Sequence, residues 1–240
     1  MTGTIINMVA VLVGGGLGLL FGARLSERLK RTVMAGLGLF TAVTGIKMFL
    51  ETNNSLIVLG AILTGVLLGE WWKIEDGLQA VGKWLETRFT HASATGPEAS
   101  GESRFVRGFL TASLLFCVGP LTILGSIQDG LTGNFSTLAI KSVLDCFAAL
   151  AFASTLGVGV LFSVVVILVY QGGISLLAAQ LNSVVTPAMM AEMTAAGGVI
   201  LVGIAISSLL ELKPIRVGNF LPALIIAPLI VAILAHFDIK

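Results

Sequence analysis

The sequence predicts an all-α polytopic transmembrane bundle of about eight spans, and three observations carry that prediction. Hydrophobic residues make up 56% of the 240 residues and charged residues only 11%, whereas a soluble domain carries roughly twice that charged share. Mean hydropathy is +1.01, and the apolar residues fall into runs long enough to cross a hydrocarbon core of about 30 Å. Turn-forming and basic residues punctuate those runs. A net charge of +1 supplies no basic field for a polyanion, so no nucleic-acid partner is expected. The partner that the composition requires is the lipid bilayer.

The first span covers residues 4–22. It follows the N-terminus without a basic n-region, so no cleaved signal peptide is expected. Gly14, Gly18 and Gly22 recur at four-residue steps beside Gly15 and Gly16 and leave one face as bare backbone, which suits close helix packing in lipid. Residues 23–31 hold Arg24, Arg28, Lys30 and Arg31 against one acid, Glu27, and the positive-inside rule places that loop in the cytoplasm. Spans two (33–50) and three (56–70) are joined by a short turn expected outside. Lys47, near the outer end of span two, can snorkel to the interface. Ala61, Gly65 and Gly69 form a second small-residue stripe. Residues 73–90 form an interfacial amphipathic helix, with Ile74, Leu78, Val81, Leu85 and Phe89 at helical spacing and Trp71, Trp72 and Trp84 suited to the headgroup region. Residues 91–103 are small, polar and punctuated by Gly and Pro, the composition of a flexible linker.

A fourth span begins after Arg104 and Arg107 and enters residues 117–145, where polar groups interrupt the apolar run. Gly119-Pro120 breaks a helix there, and Gly130 and Gly133-Asn134 form turns at the other end. The intervening segment, as helix, spans only about 15 Å, so a broken or re-entrant segment is expected over 119–134. Ser126, Gln128 and Asp129 crowd its C-terminal end. Span five (136–155) carries Lys141 and Asp145 one turn apart on the same face, where they can pair. Span six (157–178) contains Gln171, which needs a hydrogen-bonding partner if it lies in the core. Residues 180–192 are expected as a loop plus a short helix. Span seven runs over 194–210, and span eight over 217–234 is kinked by Pro222 and Pro228. Eight crossings starting outside put every basic loop in the cytoplasm and both termini outside.

Residues 34–51 align without gaps on 194–211, matching Ala35 with Ala195, Gly38 with Gly198, Ile46 with Ile206, Leu50 with Leu210 and Glu51 with Glu211. This alignment divides a single integral membrane domain (1–240) into three-helix repeats of opposite orientation, 1–72 and 156–240, around a central broken-helix pair at 104–155. Such inverted repeats are common in secondary transporters, whose sites lie near the bilayer midplane and are often formed by broken helices.

An unpaired charge near the bilayer centre costs roughly 2.5–3.5 kcal/mol on insertion scales, so Asp129, Lys141 and Asp145 require partners or water. With Ser126, Gln128 and Gln171 they form the candidate substrate or ion site. One reading is a secondary transporter or channel for a small solute or ion. The other is a non-transporting protein, an assembly factor or sensor subunit, whose intramembrane charges only fix helix packing. Asp129 with Asp145 as a catalytic pair is a third reading. The chain has no H-E-x-x-H, nucleophile elbow or histidine within a span, so no enzyme activity is expected. Phosphate-cradling loops are absent, and Cys117, Cys146, His91 and His236 lack metal-ligand spacing, so no cofactor or metal is expected either. A homo-oligomer is left open.

VGPLTILGSIQDGLTGN (118–134), IKSVLD (140–145), FASTLGVGVLFS (152–163) and YQGG (170–173) follow the glycine-rich start. On these segments the chain resembles the YqgA/YdfK-like family of uncharacterised bacterial inner-membrane proteins over nearly its whole length. The resemblance implies a single-domain protein of the bacterial cytoplasmic membrane, and no substrate or mechanism.

Overall fold

The computed structural model describes residues 1–22, 24–89 and 103–237. Of the expected linker only Ser103 falls among them, and its hydroxyl caps the next helix by accepting from the Val106 N–H at 3.1 Å. The described residues form helices α1 (Thr2–Gly22), α2 (Glu27–Phe49), α3 (Ser55–Trp72), α4 (Ile74–Phe89), α5 (Arg104–Cys117), α6 (Pro120–Thr132) and α7 (Ser136–Leu156). A 3₁₀ turn at Val158–Phe162 leads into α8 (Ser163–Leu176), followed by α9 (Ala178–Val184) and α10 (Pro187–Ile204), which continues as a π-helical turn, Ala205–Leu209. A second 3₁₀ turn, Val217–Phe220, opens the last helix, α11 (Ala223–His236). Among the described residues seven segments are long and apolar enough to cross a membrane, and α5 with α6, bent by 64°, makes an eighth when the pair is counted as one broken span. The protein is an all-α polytopic membrane bundle.

Small residues dictate how the spans meet. Gly14, Gly18 and Gly22 of α1 stand against Cys146, Leu150 and Ser154 of α7 so closely that a Cβ on any of them would come within 3.0 Å of the α7 backbone. The two helices therefore run parallel in direct backbone contact. A similar seam joins the fourth and sixth spans, with Gly159 on Phe105 at one end and Gly130 on Ser175 at the other, again parallel. The remaining spans pair antiparallel: α2 meets α10 where Gly45 faces Gly198, and α3 meets α11 where Gly65 faces Ala223 and Gly69 faces Asn219. The first half of the broken span is almost wholly inside the bundle, with nearly every residue from Phe105 to Cys117 buried.

One end of the bundle is basic. Arg104 donates to the Thr155 carbonyl, Arg107 to the Ser208 carbonyl at 2.9 Å and to Glu211, and Arg216 to Glu70 at 3.2 Å and to Asp76. The hydrogen bond to Asp76 pushes the Arg216 guanidinium still higher than usual. Arg24, Arg28, Lys30 and Arg31 lie at the same end, between α1 and the first turns of α2. The opposite end gathers the starts of α1, α3, α7 and α10 and the ends of α2, α6, α8 and α11, so Met1 and Phe237, the first and last described residues, lie there.

Two expectations change. Helix α4 does not merely lie on the bilayer. Its Leu85 is buried with Val106 and Phe109 of α5, and the Glu75 carboxylate accepts from the Gly218 N–H at 2.6 Å, tying α4 to the start of the eighth span. Span seven begins at Pro187 rather than 194, because Thr186 caps the helix through the Met189 N–H at 3.2 Å and Pro187 is pre-set for its first turn. Glu192, at the end of the stretch expected as a loop plus a short helix, is 1% exposed within this helix. Its carboxylate accepts from the Thr52 hydroxyl at 2.6 Å and from the Asn53 and Asn54 N–H groups at 2.8 and 3.1 Å, capping the turn between α2 and α3.

Candidate functional site

Asp145 lies about 14 Å along α7, a helix of roughly 31 Å, and so stands near mid-depth. It pairs with Lys141 one turn away, and the two residues are 7% and 6% exposed. Asp145 Oδ2 also accepts from Asn7 Nδ2 at 3.0 Å, and the same amide donates to Gln171 Oε1 at 3.0 Å. Lys141 Nζ sits 6.0 Å from the Phe116 ring centroid, at the outer limit of a cation–π contact. Helices α1, α5, α7 and α8 thus converge on one ion pair. The convergence is possible because the glycine seam lets α1 approach α7 closely enough for a short asparagine to reach it.

Beside the pair, between α2, α7 and the α5–α6 break, is a cavity of about 570 Å³. Lys141 and Asp145 form its floor, Thr41, Thr44 and Lys47 of α2 and Glu51 just beyond that helix line one side, and Leu115, Val118, Leu144 and Phe152 supply apolar wall. Phe40 and Phe147 at its rim face outward. The break itself depends on Gly119, whose φ of 151° is open to glycine and strained for other residues. Pro120 then starts α6 without an N–H, and no side chain caps this helix N-terminus. A second cavity of about 480 Å³, lined by Leu124, Ile127, Thr186, Pro187 and Met190, shares Glu51 with the first.

Toward the basic end the space below the cavity is filled. The Phe116 and Phe152 rings lie 6.4 Å apart, Thr155 donates to the Met34 sulfur at 2.9 Å, and Arg104 and Arg107 hold the carbonyls of Thr155 and Ser208. Ser208 belongs to the π-helical turn, and Glu211, the partner of Arg107, has φ 53°. A third cavity, about 410 Å³ and lined by Lys30, Glu86, Arg104 and Ser154, lies beyond this plug at the basic end.

The candidate site expected from the sequence divides. Lys141, Asp145 and Gln171 come together. Ser126, Gln128 and Asp129 do not join them, because the helical register of α6 sends the three side chains to different neighbours. Ser126 is buried and donates to its own helix at the Thr122 carbonyl, 2.6 Å away. Gln128 is exposed and accepts from the Thr137 hydroxyl at 2.8 Å. Asp129, 3% exposed, accepts from the Gly3 N–H at 3.0 Å and pairs with the Met1 amino group at 2.9 Å, anchoring the start of α1 at the non-basic end.

Asn7 was not among the expected residues, yet a signal for it existed. The buried face of α1 runs Gly3, Asn7, Val11, Gly14, Gly18, Gly22, so the asparagine extends the glycine stripe by two helical turns and must enter the same interface. Thr4 Oγ1, Asn7 Oδ1, Gln171 Nε2, Ser175 Oγ and Asp129 Oδ1 have no protein partner among the described residues. They form a polar strip along the junction of α1 with α8 and α6. Among the described residues no group of three or more His, Cys, Asp or Glu could hold a metal ion.

Residues 2–232 match the family described as "Protein of unknown function (DUF554)". The chain is 34% identical to the uncharacterized protein YqgA of Escherichia coli (strain K12), with 98% of each chain covered. It is 27% identical to the uncharacterized membrane protein YdfK of Bacillus subtilis (strain 168) over the full length of both. No solved structure matches significantly. With nearly its whole length matched, the chain belongs to the DUF554 family.

Proposed function

We propose that this protein is a secondary transporter of a small solute, not an enzyme, and that the solute binds in the cavity at the α5–α6 break above Lys141 and Asp145. The observation that carries the reading is that a mid-depth ion pair forms the floor of a 570 Å³ cavity instead of being sealed among side chains. Intramembrane ionisable groups cost several kcal/mol and mark substrate or ion pathways by default. A broken helix whose N-terminus opens beside such a pair is a recurring transporter device. The unpartnered strip from Gln171 and Asn7 to Asp129 supports a route by which a coupling proton or cation reaches Asp145.

The inverted repeat expected from the sequence belongs to the same proposal, and the way the spans pair supports it. A two-fold axis in the membrane plane that exchanges α1 with α8, α2 with α10 and α3 with α11 carries the parallel glycine seam of α1 and α7 onto that of the sixth and fourth spans. It maps the antiparallel pairs α2/α10 and α3/α11 onto themselves. The broken span then corresponds to α7.

The basic end is cytoplasmic by the positive-inside rule, and both termini are outside, in the inner membrane of a bacterium. In that orientation the cavity communicates with the outer side past Glu51, and the plug of Phe116, Phe152, Arg104 and Arg107 closes it below. Alternating access then means opening that plug. The test is flux into proteoliposomes under an imposed proton or sodium gradient, using a panel of amino acids, organic acids, sugars, nucleosides and inorganic ions. Gradient-dependent uptake that Lys141→Met slows at least several-fold supports the proposal. Absence of flux for the whole panel favours the packing reading, for which the bonds from Asp145 through Asn7 to Gln171 would suffice.

A further inference from the structure

We infer that the solute is a small zwitterion with an apolar side chain, of the chemical class of the neutral α-amino acids. Its carboxylate lies at Lys141 and the first turn of α6, and its ammonium at Asp145. This assignment rests on the transporter reading above and adds the substrate class.

The first argument is charge balance. The ionisable side chains lining the cavity balance in sign, Lys47 of α2 against Glu51 just beyond the end of that helix, and Lys141 against Asp145 one turn apart on α7. A ligand of net charge would leave that balance broken at hydrocarbon depth, which is costly. A zwitterion preserves it while still offering each member of the floor pair a counter-charge.

The second argument is unused bonding capacity facing the cavity. Asp145 Oδ2 is committed to Lys141 and Asn7, whereas Oδ1 has no protein partner among the described residues. Lys141 uses one of its three N–H donors on Asp145. The uncapped first turn of α6 lines the same cavity through Leu121 and Thr122, and its positive end favours a carboxylate beside the lysine. An α-amino acid carries both charged groups on one carbon, so it can meet an acceptor and a donor that lie side by side.

The third argument is the wall. Val118, Leu144 and Phe152 offer an apolar surface next to the ion pair, and about 570 Å³ lies within the range of small-ligand sites, so a side chain as large as that of phenylalanine is accommodated. A sugar or inorganic ion would leave this surface unused.

The test uses wild-type protein in proteoliposomes and a labelled equimolar mixture of L-alanine, L-valine, L-leucine, L-methionine and L-phenylalanine. Unlabelled competitors are L-leucine, 4-methylpentanoate (leucine without its ammonium) and 3-methylbutylamine (leucine without its carboxylate). The mixture should accumulate, and leucine should compete at least tenfold better than either analogue. In protein that remains monodisperse, Asp145→Asn should shift preference toward 4-methylpentanoate and Lys141→Met toward 3-methylbutylamine. If 4-methylpentanoate competes as well as leucine in the wild type, the ligand is a monocarboxylate and the zwitterion assignment is wrong. If the mixture is ignored while another panel solute accumulates, the assignment falls and the transporter reading stands. If no solute moves, both fall.

Discussion

Replacing Asp145 alone with asparagine should strip Lys141 of its counter-charge at a position only 6% exposed. Breaking a buried pair by removing one partner costs about 3–5 kcal/mol, most of it the penalty of the charge left behind. Asp145 also accepts from Asn7, and asparagine can keep that bond, so the loss measures the charge rather than the hydrogen bond. Lys141→Met should cost a similar amount, because it strands the carboxylate. The double replacement Lys141→Met with Asp145→Asn removes both charges. Asn7 keeps acceptors at positions 145 and 171, and replacing a buried pair by uncharged groups is often neutral, so the double variant should fall within about 1–2 kcal/mol of wild type. The coupling energy is then roughly 4 kcal/mol or more. Unfolding in mixed micelles against SDS mole fraction, followed by circular dichroism, measures all four proteins. Additive losses, with the double variant as unstable as the sum of the singles, would refute the claim that the two charges compensate each other at this buried position. Recovery of stability with recovery of uptake would remove the pair from the transport mechanism while leaving its structural role intact.

Two further outcomes follow from the packing. Gly18→Ala places a methyl group within 3.0 Å of the Leu150 backbone, whereas Gly16 has nothing within 4 Å of the corresponding position. Gly18→Ala should therefore cost about 1–3 kcal/mol through overpacking, and Gly16→Ala should be neutral or stabilising by up to about 1 kcal/mol in the same SDS titration. Asp129→Asn should lower stability by about 1–3 kcal/mol, because the start of α1 loses its charged acceptor. Solute selectivity should be unchanged, since Asp129 does not line the cavity, and altered competition profiles would place it in the site after all.

What was legible in the sequence was what is local. The i, i+4 spacing of Lys141 and Asp145 fixes their pairing without reference to any other helix. Gly119-Pro120 fixes the break, because a conformation favoured by glycine is followed by a residue without an N–H. Charged loops and apolar runs fix the number of crossings. The residues that complete the site come from far along the chain. Asn7 and Gln171 meet only because α1 and α8 flank α7, and that arrangement is set by backbone contact at glycines whose partners the sequence does not name. Composition misled at Ser126, Gln128 and Asp129, where proximity in sequence suggested one cluster and helical register sends the three side chains to different neighbours. Glu192 falls at the end of the polar stretch expected as a loop plus a short helix, outside the seventh span. Its burial depends on the N–H groups of a turn nearly a hundred and forty residues away, which no local pattern reveals.

The central claim is that the Lys141–Asp145 pair faces a cavity open to the outer side and closed to the cytoplasm. In a background free of Cys117 and Cys146, single cysteines at Thr44, Thr122 and Leu144, all lining that cavity, can be treated with a membrane-impermeant thiol reagent added to one side at a time. The structure predicts modification from the outside only, and loss of that modification when Glu51→Trp fills the passage shared with the second cavity. Labelling from the cytoplasmic side alone, or from neither side in well-folded protein, would contradict the claim and leave the pair as a packing element of the bundle.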